Sequence, residues 1–426
     1  MRAQLAFGRT GLEVDLPDGP NYVFLEARSA TPLPDATRAI EAALDSPIGC
    51  PPLEAVARGK GSVAISVCDI TRPAPNRVVL PPVLERLERA GIPKDCIIIL
   101  IATGLHRPAT ETEASEILGP RIASAYRWGN HNARALAEHR SLGMTSSGTP
   151  VYIDERFVSA GLHLTLGFIE PHLMLGYSGG RKLVAPGQAA KETIEVLHSP
   201  KFMRDPRTCE GSIEANPLHE ELLEIARMAR HDFMVDVALA RDRSIAGVFA
   251  GDPITAHRRG VEFVSRVMLE RLEKPVDAVI TTGAGYPLDL TYYQSLKGVT
   301  AAQHIVKAGG KVLLMAACEE GPGAPEFRGM LKAFPSWQGF LDHIDRTPVV
   351  IDQWQLEKLA MVTRNADVFF HVPGLPAEYY PTLWGPAYAS APAAVEALTR
   401  TLAAGATVAV IPEGPYVLAK ASGGPG

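Results

Sequence analysis

The sequence predicts an α/β protein of two α/β domains with mainly parallel sheets. Length is the first reason: 426 residues exceed the size at which one core keeps growing. The strand-like runs are the second. Ser62 to Cys68 (SVAISVC), Cys96 to Ala102 (CIIILIA) and Leu162 to Phe168 (LHLTLGF) are almost continuously apolar, the mark of strands covered on both faces. Third, helical patterns alternate with them: between the first two runs, Val79, Leu80, Val83, Leu84 and Leu87 fall on one helix face.

Taken in order, the chain opens with a strand-rich stretch and a helix over Pro34 to Leu44, read as scaffold. After the strands above, Asn216-Pro217 supplies a cap residue and a proline at the first helical position. Asp252-Pro253 does the same for a longer helix expected to end near Glu273. A fresh strand then runs from Ala278 to Thr282, followed by a helix through Gln294 and Lys297, strands at Lys311 to Met315 and Val368 to Val372, and a last helix over Ala391 to Ala404. The expected division is residues 1–272 and 275–411, with a strand-like tail, 412–426, packing back on the first domain and fraying at its end.

Composition excludes several function classes. Forty-two basic against 47 acidic residues give a formal charge of −5, no basic field for nucleic acid or an acidic membrane. No apolar run approaches the roughly 20 residues that span a bilayer, and the first residues lack a signal-peptide core, so a cytoplasmic location is expected. Five cysteines, Cys50, Cys68, Cys96, Cys209 and Cys318, form no CxxC pair and read as buried free thiols.

The chemistry-bearing residues gather after strands. Asp69-Ile70-Thr71-Arg72-Pro73 follows the first apolar run and Thr103-Gly104-Leu105-His106-Arg107-Pro108 the second. The third delivers the chain to a stretch from Gly167 to Pro200 that holds His172, Gly176-Tyr177-Ser178-Gly179-Gly180-Arg181-Lys182 and His198. Parallel sheets bind ligands at the carboxyl ends of their strands, so three such exits point to one site. The plain readings are that Asp69 and Thr71 cap a helix, His131 is a polar turn residue, His219 is a solvated helix residue and Lys182 is a surface lysine.

Familiar signatures fail. In Gly176 to Leu183, Arg181 and Leu183 stand where a nucleotide-phosphate loop needs Gly and Ser or Thr, and no GxGxxG follows a strand. Glycines before a helix can still offer N–H groups to a phosphate. HExxH is absent, although His106, His172 and His198 leave a zinc hydrolase open on ligand count. A buried lysine beside Arg181 would have a lowered pKa, suited to covalent bonding with a carbonyl-derived cofactor.

The ordered set DITRP (Asp69 to Pro73), TGLHRP (Thr103 to Pro108), EPH (Glu170 to His172), GYSGGRK (Gly176 to Lys182), LHSP (Leu197 to Pro200), YQSLKG (Tyr293 to Gly298) and DQWQ (Asp352 to Gln355) resembles the nickel-pincer lactate racemases and their 2-hydroxy-acid racemase and epimerase relatives. The resemblance spans nearly the whole chain. It implies a pyridinium mononucleotide with two sulfur-bearing arms, joined to Lys182 and gripping nickel, with His198 as the protein's ligand. Imidazole and sulfur donors suit nickel(II).

The same resemblance makes His106 and His172 the paired acid and base. It implies inversion at C2 of a small 2-hydroxy acid by proton-coupled hydride transfer through a 2-keto acid. Arg72 and Lys297 would hold the carboxylate, Gln294 would orient the substrate, and Tyr293 and Trp354 would line the pocket. Asp69, Thr71 and Ser178 would contact the cofactor. An active site in a cleft between the domains, a domain that closes, and separate cofactor-maturation enzymes as partners all follow from the resemblance. Leu173, Met174 and Leu175 hint at a short aliphatic substrate. A non-catalytic 2-hydroxy-acid-binding protein is the reading from a different class.

Overall fold

Six strands form one sheet, in the order Ile245–Gly251, Phe233–Leu239, Leu162–Phe168, Val63–Cys68, Ile97–Ala102 and Arg127–Asn130. All neighbours are parallel except the antiparallel edge strand Ile245–Gly251. Every residue of Val63–Cys68 and Leu162–Phe168 is buried, which is why their sequence shows no polar alternation. Helix Asn76–Arg89 buries Val79, Leu80, Val83, Leu84 and Leu87, the face its spacing predicts. This computed structural model describes residues 1–26 and 28–422.

The chain leaves Val63–Cys68 toward one side of the sheet, to Ile97–Ala102 and Arg127–Asn130. It later returns to lay Leu162–Phe168 and Phe233–Leu239 on the other side. The strand order therefore reverses between Val63–Cys68 and Leu162–Phe168. The loops at their carboxyl ends diverge and leave a crevice, the place where open α/β sheets hold ligands.

A second sheet has five parallel strands in the order Ala366–His371, Val306–Met315, Val276–Thr282, Thr407–Ile411 and Asn21–Phe24. Its core includes Val279, Leu314, Phe370, Leu356 and Tyr292. The chain accordingly divides into two compact units. The first comprises Ser29–Leu197 and Gly211–Val267; the second comprises Met1–Arg28, His198–Glu210 and Met268–Gly426.

That division differs from the one expected from sequence. The opening residues belong with the second unit because Asn21–Phe24 completes its sheet beside Thr407–Ile411. The helix expected to reach Glu273 spans Thr255–Met268, since Leu269–Leu272 peels away as a strand parallel to Leu418–Ala421. The tail does return to residues below 272, but both of these strands lie in the second unit. The last four residues of the expected tail lie outside the described residues. The final helix stops at Thr399, where Thr401 donates to Leu398 O at 2.6 Å and the chain turns toward strand Thr407–Ile411.

Cys68, Cys209 and Cys318 are buried free thiols, while Cys50 and Cys96 are half-buried. Among the described residues no helix is long and apolar enough to cross a membrane.

Candidate active site

Asp69 begins the loop after Val63–Cys68, on one side of the first unit's crevice. Its side chain caps no helix: helix Asn76–Arg89 starts after Pro75 with no side-chain cap. Instead Asp69 Oδ1 accepts from Thr71 Oγ1 at 2.7 Å and Oδ2 meets His106 Nδ1 at 2.8 Å. Burial works against the Asp69 charge, but the bonds from His106 and Thr71 and the nearby Arg72 outweigh it and hold the carboxyl below its usual range.

An ionised carboxylate only accepts, so Nδ1 of His106 carries the proton and Nε2 of the neutral ring keeps its lone pair. The His106 side chain is 51% exposed, against 6% for Asp69, so a buried carboxylate orients an accessible base.

His172 stands at the other side of that crevice, after Leu162–Phe168. Pro171–His172 pairs antiparallel with Gly176–Tyr177 in a short hairpin. The backbone N–H groups of Met174 and Leu175 both point at His172 Nδ1, each at 3.3 Å. In the neutral ring, Nδ1 therefore accepts and Nε2 carries the proton, the opposite tautomer to His106.

The hairpin is tied from beneath by Arg181. Its guanidinium is 2% exposed and donates to the carbonyls of Tyr177 (2.9 Å), Leu175 (3.1 Å) and Gly179 (3.3 Å). It also lies 2.7 Å from His257 Nε2, which is itself 2.8 Å from Ser178 O; burial and the Arg181 charge hold His257 well below its usual range. Gly180 N donates to Asp236 Oδ2 at 2.7 Å. Burial pushes the Asp236 carboxyl up to about 7, against bonds from Gly180 and the Arg181 charge.

Burial thus falls on Arg181, while Lys182 beside it is only half-buried. Lys182 sits in the tight turn Gly180–Leu183 between buried neighbours, and Gly187 N closes the turn on Lys182 O at 3.1 Å. Gly104 N donates to Gly187 O, joining the His106 loop to the turn that carries Lys182. Cys68 feels the charges of Arg72, Asp69 and Lys182 together, which brings these three residues to one strand end.

Ser178 is buried and its hydroxyl is spent inside the turn, donating to Phe168 O and accepting from Glu170 N, both at 3.0 Å. It shapes the loop. Met174 and Leu175 are likewise buried, so packing explains them and they carry no information about substrate size.

In the second unit, helix Tyr292–Ala302 begins at the cap residue Thr291, which accepts from Gln294 N. Tyr293, Gln294 and Lys297 are its half-buried positions amid buried neighbours, the i, i+1 and i+4 residues of one partly open face. Gln294 Oε1 is buried without a hydrogen-bond partner, an acceptor in need of a donor. The Tyr293 ring packs edge-on against Phe327 at 5.1 Å. Lys297 lies near the buried carboxyl of Glu210, whose pKa burial pushes up to about 7 against the pull of Lys297, Lys358 and Lys420. His198 also belongs to this unit, its ring centroid 4.4 Å from that of Trp354.

The chain matches the lactate racemase N-terminal domain over residues 7–211 and the lactate racemase C-terminal domain over residues 272–419. It is 33% identical over 370 residues to a lactate racemase of Thermoanaerobacterium thermosaccharolyticum, covering 86% of each chain. The chain belongs to the lactate racemase family.

A second lactate racemase, from Lactiplantibacillus plantarum, is 36% identical over 337 residues and 78% of each chain. The solved lactate racemase apoprotein of T. thermosaccharolyticum superposes with a TM-score of 0.91 at 31% identity, over 99% of this chain and 100% of that one. A Thermotoga maritima protein shares the fold, with a TM-score of 0.67 at 16% identity over 92% of this chain and 100% of that one.

Within this lactate racemase family chain the structure brings Asp69, Thr71, Arg72, His106 and Lys182 to one strand end of the first unit, with His172 across the crevice. It brings Tyr293, Gln294 and Lys297 to one helix, and His198 to Trp354, in the second unit. Among the described residues no three His, Cys, Asp or Glu side chains are arranged to hold a metal ion.

Two further plain sequence readings are overturned. His219 is buried, not solvated, stacked 6.2 Å from His257, because the helix Pro217–Met228 is covered on more than its apolar stripe. His131 is 1% exposed and shares a 2.9 Å bond between its Nε2 and that of His139.

Proposed function

We propose that the protein is a 2-hydroxy-acid racemase that uses a nickel-pincer nucleotide joined to Lys182. The observation that carries this reading is the pair of opposite histidine tautomers at the crevice, in a chain of the lactate racemase family. Inverting a 2-hydroxy acid needs one group to take the hydroxyl proton and another to return a proton after the carbon has been presented by its other face. With Nδ1 of His106 bonded to Asp69 and Nδ1 of His172 bonded by two backbone N–H groups, Nε2 of His106 can accept the hydroxyl proton and Nε2 of His172 can donate a hydrogen bond to the substrate oxygen.

The residues fit the cofactor. The Lys182 amine rises from a turn whose other residues are buried, and the imidazole of His198 is a donor that nickel(II) accepts. When bound, this group supplies the hydride acceptor and donor that connect a 2-hydroxy acid to its planar 2-keto acid.

The chain's own residues do the rest. Arg72 and Lys297 bind the substrate carboxylate, Arg72 with a planar fork that fixes orientation. Gln294 Oε1, buried and without a partner, takes a substrate O–H. Asp69 keeps His106 in its basic tautomer, and Thr71 keeps Asp69 in place. Tyr293 and Trp354 present ring surface that excludes water from the carbon being inverted. On this reading maturation enzymes that build the nucleotide are its partners.

The test is intact-mass and nickel analysis of protein from a host that makes the nucleotide, with enantiopure 2-hydroxy acids then followed by chiral chromatography. The expected result is an adduct on the Lys182 peptide, nickel in equal amount and isomer exchange that Lys182→Ala abolishes. Exchange without the adduct, or binding of 2-hydroxy acids that survives loss of both histidines with no exchange under any condition, refutes it.

A further inference from the structure

The segment His198–Glu210 lies between two stretches of the first unit in sequence, yet it packs in the second. What holds it is one face of helix Gln353–Thr363. Trp354, Glu357 and Lys358 stand at i, i+3 and i+4, and each grips the segment at a different point. The Trp354 ring meets His198 at 4.4 Å with the planes tilted by 44°. Glu357 Oε1 accepts from Arg204 Nε at 2.9 Å, and Arg204 also reaches Asp345 at 2.5 Å. Lys358 Nζ donates to the carbonyls of Met203 (2.9 Å) and Thr208 (2.7 Å).

These are costly groups to place here. The Glu357 side chain is fully buried and Lys358 is 4% exposed. Apolar residues of similar volume would bury the segment at least as well, so cohesion alone does not call for a buried acid and a buried ammonium. Two carbonyls five residues apart on one ammonium, and a guanidinium on one carboxylate, instead fix register: the segment cannot slide or rotate along the helix without stranding a buried charge. The ring that this register places is His198, which packs on Trp354, one helical turn before Lys358 on the same face.

We propose that Lys358 and Glu357 are positioning residues for the His198 imidazole. The metal-ligating ring is thereby a fixture of the unit that carries Gln294, Lys297 and Trp354 rather than of the unit that carries Lys182. This rests on the reading of His198 as the nickel ligand.

The test compares full-length wild type, Lys358→Met, Glu357→Gln and His198→Ala from a host that makes the nucleotide. The covalent adduct on the Lys182 peptide is measured by mass, and nickel loss to a chelator is followed with and without added imidazole. Lys358→Met is expected to keep the adduct and to lose nickel about tenfold faster or more. Added imidazole should slow that loss, as is expected of His198→Ala, because it replaces a misplaced ring; a chain that had simply loosened would not respond. Glu357→Gln, which preserves shape, is expected to show the same effect more weakly.

The same variants without cofactor supply a second reading: carbethoxylation of His198, followed on its peptide, should speed up in Lys358→Met by about the same factor. Wild-type rates of nickel loss and of His198 modification in both variants would overturn the proposal. Wild type that carries neither adduct nor nickel would instead overturn the functional reading, while the carbethoxylation rates would still decide the positioning.

Discussion

Asp69→Asn is the sharpest probe of the acid and base pair. In the wild type one carboxylate serves two donors, Thr71 Oγ1 at 2.7 Å and His106 Nδ1 at 2.8 Å. An amide cannot do both: if its oxygen faces Thr71, its NH2 group faces His106 Nδ1 and forces the proton onto Nε2, which can then no longer accept one. If the amide is turned the other way, His106 keeps its tautomer but loses the charge that steadies it when it has taken a proton, and Thr71 loses its acceptor. A hydrogen bond to a charged group is worth about 1.5–3 kcal/mol, so kcat should fall by about 10- to 150-fold. KM should change far less, because Asp69 acts through the proton rather than the carboxylate grip. The assay is isomer exchange from either enantiomer at matched adduct occupancy. A kcat within about twofold of wild type at equal occupancy would refute the tautomer argument.

Three further outcomes follow from the loop beneath His172. Arg181→Met removes the buried donor to the carbonyls of Tyr177, Leu175 and Gly179 and the charge that favours ionised Asp236, and should cost about 1–3 kcal/mol, read as a lower urea midpoint; an unchanged midpoint would count against the network. Gly179→Ala places a Cβ 2.2 Å from Asp236 Oδ2 at a backbone angle of φ +88°, so it should lower both the melting temperature and the yield of Lys182 adduct. Asp236 has a folded pKa raised to about 7 from 3.8, so its contribution to stability is fully present below the unfolded value and lost as pH rises through about 7. The melting temperature of wild type relative to Asp236→Asn should therefore fall between about pH 4 and pH 8, and parallel profiles would exclude the assignment.

The fold was legible where burial is two-sided. Leu162–Phe168 was delimited residue for residue, because a strand covered on both faces must be apolar throughout. The family motifs mark strand exits and helix faces, so the polar residues of the site stand out against apolar flanks. Partners distant in sequence do not: Asp69 and His106 are 37 residues apart, and the local pattern of Asp69 and Thr71 is equally that of a helix cap. Helix Gln353–Thr363 hid its role for another reason. Its buried face carries Gln353, Gln355, Glu357 and Lys358, so the apolar period that reports burial is missing. Nor could the membership of residues 1–28 be read locally, since it depends on pairing with Thr407–Ile411.

That pairing bears on how the chain comes into being. Asn21–Phe24 leaves the ribosome long before Thr407, its neighbour in the finished sheet, is made. At usual synthesis rates the wait is about 20 to 80 s, during which a strand with unpaired backbone groups is exposed to other nascent chains. The first unit can close around its own strands in that time, but the second unit's sheet can only be completed once Thr407–Ile411 has been made. Any chain cut short before Thr407 therefore leaves the tunnel with that edge strand still seeking a partner.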